Sequence, residues 1–126
     1  LPHIVKKNET ILKLNKDLSE EDWSKVHNAL VDVIYSPNGT GYRINAGELN
    51  LAGKSGTAQV VDISSREEYD EVRKNPLLRD HAVFIGFAPY DNPRYSIAVI
   101  VENGESGGRT AGPIAKKVIE ELLDGF

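Results

Sequence analysis

Leu51-Ala-Gly-Lys-Ser-Gly-Thr-Ala-Gln-Val-Val61 reads as a β-strand with a chemical cargo. Lys54 offers a fixed positive charge, and Ser55 and Thr57 offer two hydroxyls one strand repeat apart. Gly53 and Gly56 weaken a strand interior, and glycine at such positions often marks the close approach of a ligand or of another backbone. A lysine, two hydroxyls and a glycine on one strand can hold a carboxylate beside an oxyanion site. By average residue usage, K-[ST]-G-T arises by chance in roughly one chain of this length in a few hundred. The surroundings therefore have to carry part of the reading.

Upstream, Ser19 is a good N-cap, and Glu20, Glu21 and Asp22 favour the positive end of a helix dipole. Leu18 and Trp23 stand at the two positions of a hydrophobic staple. Trp23, Val26, Leu30, Val33 and Ile34 make one apolar stripe, so a helix is expected from Glu20 to Tyr35, stopped by Pro37-Asn38-Gly39. Residues 38–48 are polar and Gly-rich and predict a loop. The Lys-Ser-Gly-Thr strand is expected from Leu49 to Ile63. Before the helix, Pro2-His-Ile-Val5 and Thr10-Ile-Leu-Lys-Leu14 predict short strands or extended segments.

Downstream, Ser65-Arg-Glu-Glu68 is a capping-box pattern and predicts a short helix over Arg66–Lys74, ended by Asn75-Pro76. Ala82–Ala88 predicts a second strand, Pro89–Pro93 a turn, and Tyr95–Glu102 a third strand whose continuous apolar centre suggests burial on both faces. Asn103–Gly112 predicts a flexible Gly-rich connection; the competing reading is an anion site at the start of the last helix. Pro113 suits the first turn of that helix, where Ile114, Val118, Ile119, Leu122 and Leu123 form an apolar stripe. The expected fold class is α+β, an antiparallel sheet packed by helices.

The 126 residues match one small domain, and 40% hydrophobic content supports a core. A net charge of −4 argues against a nucleic-acid partner. With no cysteine, disulfides and thiolate metal sites are excluded, and His3, His27 and His81 are too scattered to predict a metal site. Ile97–Val101, the longest aliphatic run, is far too short to span a bilayer. The chain contains no Met, and Leu1-Pro2-His3 lacks the charged start of a leader, so it is expected to be part of something longer.

A phosphate loop, G-x-x-x-x-G-K-[ST], finds its end in Gly53-Lys54-Ser55, but Gly47 is one residue too far away and a strand-like segment follows where a helix is needed. Ser36-Pro37-Asn38 matches S-x-N by letters, yet its place at a helix end reads as a terminator. No Ser has a Lys three residues later, so no acyl-accepting serine of the S-x-x-K kind is visible.

These residues resemble the C-terminal part of the transpeptidase domain of class B penicillin-binding proteins, most of all the penicillin-binding protein 2 type. The resemblance runs through Trp23-x-x-Val26, Asn38-Gly-Thr40, Ala52–Gln59, Asp80–Pro89, Ile97–Gly104 and Ala111–Ala115. It implies that residues 1–126 are a single partial domain holding the last three of the fold's five strands. It implies acyl transfer from a D-Ala-D-Ala stem peptide through an acyl-serine, with β-lactams as stalled mimics. The serine, its lysine base and a second serine box would lie upstream, so the chain alone is expected to be inactive.

By position, the resemblance gives Lys54 a charge toward the substrate carboxylate and a hydrogen bond to the second-box serine. It gives Ser55 and Thr57 hydroxyl contacts to that carboxylate, Gly56 a close backbone approach, and the Thr57 N–H one oxyanion contact. Implied partners are the upstream part of the domain and a membrane glycan polymerase, at the periplasmic face of a bacterial inner membrane. No cofactor is implied. Two other readings stay open at this point: a non-catalytic binding domain on the same scaffold, and part of a serine β-lactamase.

Overall fold

The computed structural model describes residues 18–125. The extended segments expected before residue 15 lie outside them.

Helix α1 spans Glu20–Tyr35. The Ser19 hydroxyl accepts from the Asp22 N–H at 3.1 Å, the N-cap bond the sequence calls for. The apolar stripe divides along its length. Ile34 is buried at 2% exposure, while Leu18, Trp23 and Val26 are 46%, 44% and 47% exposed. Only the C-terminal half of α1 reaches the core, through Val33, Ile34 and Tyr35. The helix ends as Ser36 N–H bonds Asp32 O and Gly41 N–H bonds Val33 O.

Residues 38–48 are more than a loop. They hold 3-10 turns at Tyr42–Ile44 and Gly47–Leu49, and they bury Ile44 and Ala46 in the core. Ile44 fits there because Gly41 and Gly112 leave it room: a Cβ on either would press on its Cδ1 methyl.

Strand β1 covers Ala52–Ala58, shorter than the expected Leu49–Ile63. A strand persists only where a partner ladders it, and β2 (His81–Ala88) pairs from Ala52↔Phe87 to Ala58↔His81. Beyond Ala58 the chain leaves the sheet for a short helix, α2, Arg66–Val72. The Glu68 N–H bonds the Ser65 hydroxyl as a capping box requires, while the Glu68 carboxylate takes the Ser64 N–H, one residue before the N-cap. It ends two residues short of Lys74, which only tightens the last turn.

Strand β3, Tyr95–Val101, pairs antiparallel with β2, so the sheet order is β1-β2-β3. Ala82, Phe84 and Ala88 of β2 are fully buried on the face that meets helix α3, Gly112–Asp124. The expected burial of β3 on both faces is not met among the described residues. Its side chains alternate between half-buried and exposed; Ile100 is 69% exposed, and Ile85 on the same face of β2 is 53% exposed. The helix α3 lies on the other face, beside Val99 and Val101.

The stripe on α3 likewise exceeds the face it buries. Ala115 and Ile119 are at 0% exposure, while Ile114 and Val118 stay 45% and 43% exposed. Pro113 sits in the first turn, as expected. No helix among the described residues is long and apolar enough to cross a membrane.

Candidate functional site

Strand alternation divides the Lys-Ser-Gly-Thr residues between two faces. Ser55 and Thr57 pair with Phe84 and Ala82 and share their face; Lys54 and Gly56 pair with Ile85 and Val83 on the other. Ser55 is 9% exposed, and its hydroxyl is hydrogen-bonded to the Thr40 hydroxyl at 2.7 Å. The Thr57 hydroxyl faces the Glu105 carbonyl at 3.4 Å. That distance is long for an O–H···O bond, so Thr57 has a donor to give to a ligand at small cost. The Lys54 ammonium folds back onto the Ser55 carbonyl and borders a cavity of about 380 Å³ against Asp32, Ser36, Asn38 and Thr40.

The Gly-rich connection is a close-packed part of this site, which corrects the expectation of a flexible turn. Gly107 and Gly108 are buried in a π-type turn over Gly107–Ala111. A Cβ on Gly107 would sit 2.8 Å from Gly56 N and collide with the carbonyl oxygens of Val83 and Gly56. A Cβ on Gly108 would collide with the Thr40 carbonyl. Glycines serve here for contact between backbones, where a side chain would force the strand away. At the start of α3 the Gly112 N–H is already bonded to Gly107 O.

A clasp adjoins Thr57. Glu105 adopts φ 61°, its N–H bonds Asp80 O at 2.8 Å, and its carboxylate takes Arg73 Nε at 2.9 Å and Nη2 at 2.8 Å. The hydrogen bond and charge of Glu105 push the Arg73 pKa further up. Asn103, at φ 55°, donates to the carbonyls of Leu77 and Arg79, and its N–H donates to His81 Nδ1 at 2.9 Å. The chain after β1 and the connection after β3 are thus tied together beside the strand.

At the other end of β1, the Tyr35 hydroxyl accepts the Leu51 N–H at 3.1 Å, and burial pushes the Tyr35 pKa up. Ser36 caps the C-terminus of α1, as its terminator reading requires. Among the described residues no group of three His, Asp or Glu side chains could hold a metal ion.

Sequence reasoning assigned no role to Thr40, Arg73 or Glu105. Thr40 lay within the Asn38-Gly-Thr40 resemblance, which was the one available signal. Arg73 and Glu105 are 32 positions apart and carry no local pattern.

The comparisons with known proteins agree in kind. The family described as Penicillin binding protein transpeptidase domain matches residues 1–120. The peptidoglycan D,D-transpeptidase MrdA of Acinetobacter baumannii is 44% identical over 111 residues, covering 88% of this chain and 16% of the relative. Its Salmonella typhimurium namesake is 41% identical over 103 residues, covering 81% and 16%. Among solved structures, Pseudomonas aeruginosa PBP2 in complex with WCK 5153 superposes with a TM-score of 0.66 at 38% identity, over 82% of this chain and 19% of that one. Helicobacter pylori PBP2 in complex with MreC gives 0.64 at 31% identity, over 85% and 18%. This chain spans less than a fifth of each of these proteins. With the matched region reaching from residue 1 to residue 120 and a sheet that superposes on solved relatives, the chain belongs to the penicillin-binding protein transpeptidase domain family.

Proposed function

We propose that residues 1–126 form the C-terminal part of a peptidoglycan D,D-transpeptidase domain and that β1 is one wall of its active site. The observation that carries this reading is the placement of Ser55 and Thr57 on one face of β1, where two hydroxyls could serve one carboxylate. An upstream serine attacks the carbonyl carbon of the penultimate D-Ala. The C–N bond breaks, and the departing D-Ala amine takes up the proton. The amine of a neighbouring stem then attacks the acyl-serine, the new amide forms, and the serine hydroxyl regains its proton.

In this scheme Ser55 and Thr57 donate to the terminal carboxylate. Lys54 supplies positive charge and a hydrogen bond toward the second-box serine. Gly56 keeps the strand bare against the ligand. The Thr57 N–H stabilises the oxyanion together with the N–H of the nucleophile; one such donor is worth a factor of about 10² to 10³ in turnover. Separated from its nucleophile, the chain is inactive, because such groups act as a unit. β-Lactams enter as acyl donors, and the working enzyme faces the periplasm beside a membrane glycan polymerase. The family resemblance supports these assignments.

Intact mass of the full-length protein after benzylpenicillin treatment tests the proposal. A one-to-one adduct on a serine is expected, formed at least roughly 10²-fold more slowly in Lys54→Ala. Absence of an adduct on the wild type would favour a non-catalytic domain on this scaffold, and rapid loss of the adduct would favour a β-lactamase.

A further inference from the structure

Thr40 is held from three directions. The flanking Gly39 N–H bonds Ser36 O at 2.8 Å, and Gly41 N–H bonds Val33 O at 2.9 Å. Gly108 packs directly on the Thr40 carbonyl. The turn that carries the residue is thereby fixed to the end of α1 and to the start of the last helical segment. Its side chain reaches the nearly buried Ser55 hydroxyl at 2.7 Å.

Each hydroxyl has one proton to donate and two lone pairs to accept with. In the free chain the two oxygens lie 2.7 Å apart, and either hydroxyl can supply the proton of their bond. A carboxylate has no proton to offer, so Ser55 can bind it only by turning its own proton outward. Ser55 then keeps its bond to Thr40 only if Thr40 donates instead.

We propose that Thr40 is a positioning residue for the carboxylate site, and that an anionic ligand fixes the sense of the Ser55–Thr40 hydrogen bond, with Thr40 donating and Ser55 accepting. The resulting chain runs from the Thr40 hydroxyl to Ser55 and from Ser55 to the carboxylate. Only hydroxyl protons turn, and no covalent bond changes. Consecutive bonds of one sense polarise each other, which strengthens the bond to the ligand. The inference rests on the reading of β1 as a carboxylate-binding strand.

The test compares acylation of the full-length protein by benzylpenicillin and by its methyl ester, which lacks the anion. Thr40→Val keeps the shape and removes the hydroxyl; Thr40→Ala removes it with less demand on space; Thr40→Ser keeps it. Thermal melting establishes that each variant is folded. Thr40→Val and Thr40→Ala are expected to lower the rate constant for the acid roughly three- to ten-fold, in line with the loss of one hydrogen bond between neutral groups. The ester rate should hardly move, and Thr40→Ser should react like the wild type. Equal losses for acid and ester, or no loss for the acid, would overturn the inference while the wild-type adduct upholds the acyl-transfer reading. A wild type acylated by neither compound would overturn that reading and this inference with it.

Discussion

Gly107 lies against Gly56 so closely that a Cβ on Gly107 would sit 2.8 Å from the Gly56 nitrogen. The atoms it would meet are backbone, which cannot swing aside as a long side chain can. The turn before α3 therefore sets the position of the strand that carries Lys54, Ser55 and Thr57.

Gly107→Ala should destabilise the fold by at least about 1–3 kcal/mol, the usual cost of overpacking, and should displace β1. Gly56→Ala is the informative contrast. Its Cβ would meet the nearest atom, Val83 Cβ, at an ordinary 3.6 Å, so the fold should tolerate it. Melting temperature and penicillin acylation are to be read together on the full-length protein. Gly107→Ala should lose both, and Gly56→Ala should lose acylation alone if the strand backbone lies against the ligand.

Arg73→Gln should leave overall stability almost unchanged. The Arg73–Glu105 side chains are 46% and 31% exposed, and exposed pairs contribute about 0–1 kcal/mol. The effect should instead be local. Amide hydrogen exchange over 66–79 should speed up in the variant while the β1 and β2 amides keep their protection. Unchanged exchange over 66–79 would show that the Asn103 bonds to Leu77 and Arg79 suffice to hold the segment.

Tyr35→Phe removes the acceptor of the Leu51 N–H, whose residue is at 0% exposure. A stranded buried donor costs about 1–3 kcal/mol, readable as a shift in the denaturant midpoint. The phenol also has a pH signature. Its pKa is raised above 10.0 chiefly by burial, so the fold favours the neutral form. Its contribution is fully present below pH 10.0 and is lost as pH rises through the raised value. Tyr35→Phe should thus show a shallower alkaline loss of stability than the wild type.

Much of the fold was legible because local chemistry specifies it. Ser19 and Ser65 cap the helices they were read to cap, and the pairing of β1, β2 and β3 follows from their order and turns. The misread parts depend on neighbours far along the chain. Ile44 lies in a polar stretch, and only Gly41 and Gly112 make room for it in the core. The end of β1 at Ala58 is set by where β2 begins, and the faces of β3 by which side α3 covers.

The candidate site divides in the same way. Lys54, Ser55, Gly56 and Thr57 are contiguous and could be named from the sequence. Thr40 enters through a side-chain bond across 15 positions, and Gly107 through a contact between backbones. A glycine cluster reads the same whether it flexes or packs, and only the structure separates the two.

The most direct measurement is the crystal structure of the full-length protein acylated by benzylpenicillin. The account predicts the ligand carboxylate within about 3 Å of both the Ser55 and the Thr57 hydroxyls, with Thr40 still bonded to Ser55. A carboxylate held away from β1, beyond hydrogen-bond reach of the Ser55 and Thr57 hydroxyls, would contradict it.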